Sequence, residues 1–191
     1  MGNSDYENAK QMNLAAGECL KKSDFVGALE NFSKALEFLP EGELEAKARL
    51  YSNMGHAQVG LRRYIDALPS FRNAAEIFEQ LGDKIGRAEQ LGNIGSVYRD
   101  IEKWGASLDS YFKALEAFKE VDHKGGVADQ YSNIGYAYSR QGEIKKALQF
   151  FEKAKALYDE LGEERKSQLC DQNIQTLKPY MKEQDSLNEG S

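Results

Sequence analysis

Residues 92–118 read GNIGSVYRDIEKWGASLDSYFKALEAF, and forty residues later 132–158 read SNIGYAYSRQGEIKKALQFFEKAKALY. The two share Asn93-Ile94-Gly95 and Asn133-Ile134-Gly135, then a small residue (Ser107, Ala147), an aromatic (Tyr111, Phe151) and an alanine (Ala114, Ala154). A third copy lies the same distance upstream, with Asn53-Met54-Gly55, Ala67, Phe71 and Ala74. Agreement of three copies at five spaced positions makes an internal repeat the leading fact of the sequence.

Working outward, a weaker copy precedes these: Ala28, Phe32 and Ala35 keep the small–aromatic–small pattern, and Ala16 beside Gly17 fills the glycine slot. A fifth copy begins after Gly162, where Asn173-Ile174 falls in register, and then the pattern stops. Within each copy the apolar residues recur at three and four, as in Leu108, Tyr111, Phe112, Leu115 and Phe118, which is the helical period. The small residues let two helices approach to about 8–10 Å, and the aromatic fills the space beside the close contact. Turn signals separate the helices: Ser23-Asp24, Leu81-Gly82-Asp83, Leu161-Gly162-Glu163 and, less tidily, the run 121–126. Each Gly–acid pair offers a helix end followed by a favourable charge at the next helix start.

The expectation is an all-α chain with helix pairs at about 6–22 and 25–38, 43–60 and 64–80, 84–101 and 104–120, and 124–141 and 144–160. A single domain over 1–182 then holds repeats of about 6–40, 43–81, 84–121 and 124–161 and a capping helix at 164–182, leaving 183–191 as a disordered tail. The last helix is amphipathic through Leu169, Cys170, Ile174, Leu177 and Met181. Such a helix covers the open apolar end of a stack or docks onto a second chain. Two prolines bear on this layout. Pro69 stands where the other copies have Glu30, Asp109 and Gln149, so that helix is expected to start late or bend. Pro179 is expected to end or bend the last one.

Composition narrows the function classes. The net charge is -6 and the pI about 5.1, and no dense Lys/Arg run occurs, which argues against nucleic acid as partner. No stretch approaches about 18 consecutive apolar residues, so no membrane association is expected. Cys19 and Cys170 are far apart and belong to no metal-ligand spacing, which fits two free thiols in a reducing, cytoplasmic setting. The N-terminus MGNSDYENAK lacks an apolar signal core, and Tyr6 stands where an acylation motif wants Ser or Thr. No acid–His–nucleophile set, metal cluster or phosphate loop is visible. The expectation is a non-enzyme with no cofactor and no metal.

The strings at 92–118 and 132–158 resemble the tetratricopeptide repeat family, and the resemblance covers roughly residues 10–180. The usual period is about 34; the period of 40 here resembles the longer repeats of kinesin light chains and peptide-pheromone receptors. The resemblance implies an α-solenoid, a right-handed superhelix of antiparallel hairpins. First helices would line a concave groove and second helices form the convex back.

Helix phase places Arg49, Ser52, Asn53, His56, Glu89, Asn93, Ser96, Arg99, Asp100, Asp129, Asn133, Tyr136 and Arg140 opposite the packing contacts, with Lys10, Asn13, Gly17 and Lys21 from the first copy. The expected peptide-binding groove is therefore Asn53, Asn93, Asn133, Arg49, His56, Ser96, Arg99, Tyr136 and Arg140. A carboxamide carries both donors and an acceptor. A row of Asn53, Asn93 and Asn133 could then pair with the N–H and C=O groups of an extended peptide, and similar members of the family use groove asparagines in this way. The same residues could instead bond a neighbouring helix. Arg99 and Arg140 are candidates for an acidic ligand side chain. Many of the groove charges could pair with one another and contribute little. The family's carboxylate clamp is matched plainly only at Asn53: Asn13 and Gly17 stand in place of its first pair, and Glu89 and Asn93 in place of its third. Chaperone C-terminal tails are therefore not expected as ligands. His56 touches the groove and reads as a surface or packing residue rather than a catalyst, His123 lies in a turn, and Tyr51, Tyr98, Trp104, Tyr131 and Tyr138 read mostly as core.

The functional expectation is a protein-interaction module or adaptor holding a protein or peptide partner in its groove. The alternative is a self-assembling scaffold that associates, weakly as a homo-oligomer, through its terminal helix or convex face. Fold alone does not name the partner.

Overall fold

The computed structural model describes the backbone of residues 2–189 and the side chains of 4–181. Among the described residues there are nine helices and no strand: α1 (Gly2–Lys21), α2 (Phe25–Phe38), α3 (Leu44–Gly60), α4 (Tyr64–Gln80), α5 (Lys84–Asp100), α6 (Trp104–Glu120), α7 (Lys124–Arg140), α8 (Ile144–Leu161) and α9 (Glu164–Glu189). The all-α repeat fold expected from the sequence is the fold observed. By contact the chain divides into two compact units, 1–101 and 102–191, where the sequence suggests one domain over 1–182.

In the first unit α1 packs on α2, α2 on α3, α3 on α4 and α4 on α5. Its core is a string of small clusters: Ala16, Ala28, Phe32, Ala35, Leu50 and Ala57, then Ala48, Ala74, Ile77 and Phe78, then Ala67, Leu68, Phe71, Ile94 and Val97. Alanine at the helix crossings and one aromatic between them is the packing that the repeat pattern demands. A Cβ on Gly55 would lie 2.6 Å from the Phe71 ring, and one on Gly86 2.7 Å from Phe78. The second unit repeats the device on α6 to α9, where a Cβ on Gly135 would lie 3.0 Å from Phe151 and one on Gly126 2.5 Å from Phe118. The α7–α8 repeat thus has both kinds of glycine contact, one within its hairpin at Gly135 and one to the preceding helix at Gly126.

The turns follow the same arithmetic. From Arg62 onward a left-handed residue falls every twenty positions: Arg62, Gly82, Glu102, Asp122, Gly142 and Gly162, with φ between 50° and 77°. Helix starts are capped where the sequence offers an acceptor three residues before an N–H. Gly27 N donates to Asp24 Oδ1 at 2.9 Å and Gly86 N to Asp83 Oδ1 at 2.8 Å. His123 does the same in the second unit, with Gly126 N donating to Nδ1 at 2.9 Å. This turn histidine is a helix cap.

The expectations of a late start at Pro69 and an end at Pro179 are corrected. α4 starts at Tyr64, in register with Trp104 and Ile144, and contains Pro69 in its first two turns. An N–H missing so early removes only one intrahelical bond, and Ala67, Leu68 and Ser70 around it are buried. α9 runs through Pro179 to Glu189 rather than ending near 182, so the tail expected at 183–191 is helical as far as Glu189, and residues 190 and 191 lie outside the described ones. At the other end α1 begins at Gly2, about a turn before the expected start. Inside the second unit α9 is tied by its apolar face, with Cys170 and Ile174 buried, and by Asp129 of α7, which accepts from Tyr158 Oη at 2.7 Å and from Lys166 Nζ at 3.0 Å.

Arg62 sits at φ 58°, where an L side chain costs about 1 kcal/mol that glycine does not. Arg62→Gly is expected to stabilise the chain by about 1 kcal/mol or slightly less, measured as a higher denaturant midpoint with unchanged slope.

Candidate functional site

The helix face turned away from the glycine contacts carries the polar residues singled out in the sequence. In the first unit that face of α3 presents Arg49, Ser52, Asn53 and His56. Arg49 is exposed and its guanidinium meets Glu45 one turn earlier at 2.7 Å. Asn53 is half-buried, and among the described residues its carboxamide takes no side-chain hydrogen bond. It lies on the wall of two cavities. One, between α1 and α3, is about 330 Å³ and also reaches Lys10, Asn13 and Arg49. The other, between α3 and α5, is about 480 Å³ and also reaches Arg49, Ser52, Asp83 and Glu89.

Asn93 on α5 is placed differently from Asn53. Its Nδ2 lies 3.5 Å from His56 Nε2 and donates to Gln90 Oε1 at 3.4 Å; Gln90 is itself buried and donates to Gly86 O. The sequence row of three asparagines therefore splits, because Asn93 is occupied in joining α5 to α3. His56 is a packing residue on one side. Its ring meets Phe71 edge-on at 5.1 Å, and burial against that ring holds its pKa below the ordinary value of 6.5. A neutral imidazole is the form that can accept from Asn93. Ser96 is half-buried and Arg99 is drawn onto Asp100 at 2.9 Å, so Arg99 is less available to a ligand than the sequence suggested.

In the second unit α7 carries the equivalent face. Asn133 is half-buried, and among the described residues its carboxamide takes no side-chain hydrogen bond. Tyr136 is 40 % exposed. Arg140 is exposed and lies over the Trp104 ring at 5.7 Å, so the half-buried tryptophan shelves a cation instead of filling the core. Asp129, read from helix phase as a groove residue, is occupied in fastening α8 and α9.

Sequence reasoning missed a ring cluster on this unit. Phe150 of α8 is a hub, 5.9 Å from Phe112, 5.8 Å from Tyr131 and 5.6 Å from Tyr138, and Lys153 covers it at 5.2 Å. The doubled aromatic Phe150-Phe151 was the available signal: the repeat needs only the second. On the first unit Tyr6 was missed, with Lys10 Nζ over its ring at 4.5 Å.

Among the described residues no group of three or more His, Cys, Asp or Glu could hold a metal ion, and no helix is long and apolar enough to cross a membrane. Cys19 and Cys170 are free thiols, and burial pushes the Cys170 thiol pKa up.

Comparison with known proteins gives a family model described as Tetratricopeptide repeat, which matches residues 46–120 and 87–160. No curated protein matches in sequence. Among solved structures, the chain is similar to BtubC (BKLC) from P. vanneervenii at 20 % identity and TM-score 0.67, covering 91 % of this chain and 80 % of that one. It is similar to aspartyl phosphate phosphatase F from Bacillus subtilis at 16 % and 0.84, covering 97 % of this chain and 49 % of that one. It is also similar to the Rap conjugation gene regulator of the plasmid pLS20, solved in complex with the Phr* peptide, at 18 % and 0.68, covering 78 % and 42 %. The chain thus spans about half the length of the phosphatase and less of the plasmid regulator. At these identities the likeness is one of fold.

The depressed His56 pKa has a direction that can be measured. Below about 6.5 the unfolded chain binds the proton more readily than the folded one, so stability falls as pH drops through that value. The loss of denaturation midpoint between about pH 7.5 and about pH 5.5 is expected to be larger in wild type than in His56→Gln.

Proposed function

The chain belongs to the tetratricopeptide repeat family, and from that premise we propose that it is a non-catalytic interaction module that holds a peptide segment of a partner protein on the polar face of its first helices. The observation that carries this reading is Asn53. Its carboxamide is half-buried between two cavities, with no side-chain hydrogen bond among the described residues. A polar group kept at such a place without an internal partner is satisfied by water or by a ligand backbone. Asn133 offers the same in the second unit. Arg49 lines both cavities with Asn53; the reading also takes in His56 of α3, Ser96 and Arg99 of α5, and Tyr136 and Arg140 of α7, and Asn93 contributes by holding α5 against α3. One protein of this fold was solved with a peptide bound, which supports the ligand class without naming the ligand. The reading includes no nucleic acid, no membrane and a cytoplasmic setting, which the acidic charge and the two free thiols favour.

A second reading, self-assembly, has one specific observation behind it. Leu169 and Tyr180 are 56 % and 55 % exposed and, eleven residues apart, share one face of α9. A mass that rises with concentration belongs to that reading and not to the first.

The test uses the structure's split of the asparagine row. Asn53→Ala/Asn133→Ala is expected to fold with unchanged circular dichroism and to lose, by tenfold or more (at least about 1.4 kcal/mol), affinity for a partner that wild type captures from source lysate and that is then purified for titration. Asn93→Ala is expected to lose less. Equal affinity of the double variant and wild type would remove the groove reading for that partner.

A further inference from the structure

The two cavities flanking α3 share Arg49 and Asn53 but differ in charge. The one on the α1 side is lined on its polar rim by Tyr6, Lys10, Asn13, Arg49 and Asn53, over alanine and leucine, and no carboxylate is among its lining residues. The one on the α5 side brings Asp83 and Glu89 against the apolar Phe78 and Ile85. Lys10 and Arg49 do meet Glu7 and Glu45, at 3.2 and 2.7 Å. All four of these side chains are more than half exposed and each pair lies within one helix turn, so water screens both pairs and a ligand carboxylate can compete. On the other side Asp83, whose Oδ1 accepts from Gly86 N, lines the cavity with a carboxylate that still carries acceptor capacity for a ligand cation. Ile85, 38 % exposed, offers a wall for the methylene stem of a lysine or arginine.

We infer that a segment bound on this face presents an acidic side chain to the α1–α3 cavity and a basic one to the α3–α5 cavity, with its backbone crossing α3 at Asn53. This rests on the peptide-holding reading and deepens it by fixing a charge pattern. The cavities lie on the two sides of one helix, so their centres are separated by about one interhelical spacing, roughly 10 Å. An extended chain covers that in about three residues. The ligand signature is therefore an acid and a base about three residues apart. Opposite charges on the two sides also exclude segments with one sign of charge throughout, which is how a mixed-sign surface gains specificity.

The experiment titrates the full ¹⁵N-labelled chain with blocked tetrapeptides carrying Glu and Lys at their ends, in both chain orders, and with versions in which Glu, Lys or both are replaced by Gln. The Glu/Lys peptide is expected to bind at least threefold tighter than either singly replaced one, in at least one order. The Glu/Gln peptide should move the carboxamide signals of Asn13 and Asn53, and the Gln/Lys peptide the amides of Ile85 and Gly86. In Lys10→Glu/Glu89→Lys, two exposed substitutions that leave the packed face untouched, the preference for Glu/Lys over Gln/Gln is expected to vanish. Equal binding of Gln/Gln and Glu/Lys would overturn the inference, as would Glu and Lys shifting the same signals or an unchanged preference in the charge-reversed variant. These outcomes are separable from failure of the peptide reading. If the asparagine variant loses its natural partner while the charged tetrapeptides show no preference, the face still holds a peptide and only its charge pattern is wrong.

Discussion

Close approach of helices at glycine is the constraint on which the rest of the structure depends. A Cβ at Gly55 would be 2.6 Å from Phe71, and one at Gly126 2.5 Å from Phe118, distances that packed carbon atoms do not reach. With those positions held small, the aromatics of the second helices sit under their partners almost fully buried, Phe71 and Phe151 at 1 % and Tyr111 at 0 % exposure. The alanines at the crossings follow from the same need. So does the length of the turns, where one residue in every twenty reverses the chain with a left-handed backbone. Where glycine is missing from that slot, as at Arg62 and Glu102, an L residue takes up the left-handed backbone at a modest cost.

That constraint assigns duties to helix faces. One face of α3, α5 and α7 is spent on packing, and substitutions there change how near the next helix comes. The opposite face is left free of packing duty. On it the structure separates groups already employed, such as Asn93 with His56 and Gln90 or Arg99 with Asp100, from groups still open, chiefly Asn53 and Asn133. Two cavities of contrasting charge lie beside Asn53, and on the proposed reading that open amide is where the polar backbone of a bound chain would sit.

The fold was legible in the sequence because its determinants are local and repeated. Asn-x-Gly, small, aromatic and alanine recur at a fixed spacing, and Gly82-Asp83 announces both a helix end and the next cap. Pro69 does not delay the start of α4 and Pro179 does not end α9, because a proline's cost is local and gives way to the packing that surrounds α4 and the length to which α9 continues. The candidate site was legible as a list and not as an arrangement. Helix phase placed Asn53, Asn93 and Asn133 alike, yet which of them has a neighbour depends on the side chains at His56 and Gln90. Asp129 read as groove and works as a fastening for α8 and α9, since a long-range pair to Tyr158 and Lys166 leaves no trace in spacing.

The division of labour between two residues of α3 only two positions apart gives the most direct measurement: the unfolding free energies of Gly55→Ala and Asn53→Ala against wild type. Adding a methyl at Gly55 is expected to cost about 1–2 kcal/mol, overpacking against Phe71 outweighing the better helix propensity of alanine. Removing the Asn53 carboxamide is expected to change stability by no more than about 0.5 kcal/mol. If Asn53→Ala destabilises the chain as much as Gly55→Ala does, the asparagine is a folding residue and the open polar face does not exist as a binding surface.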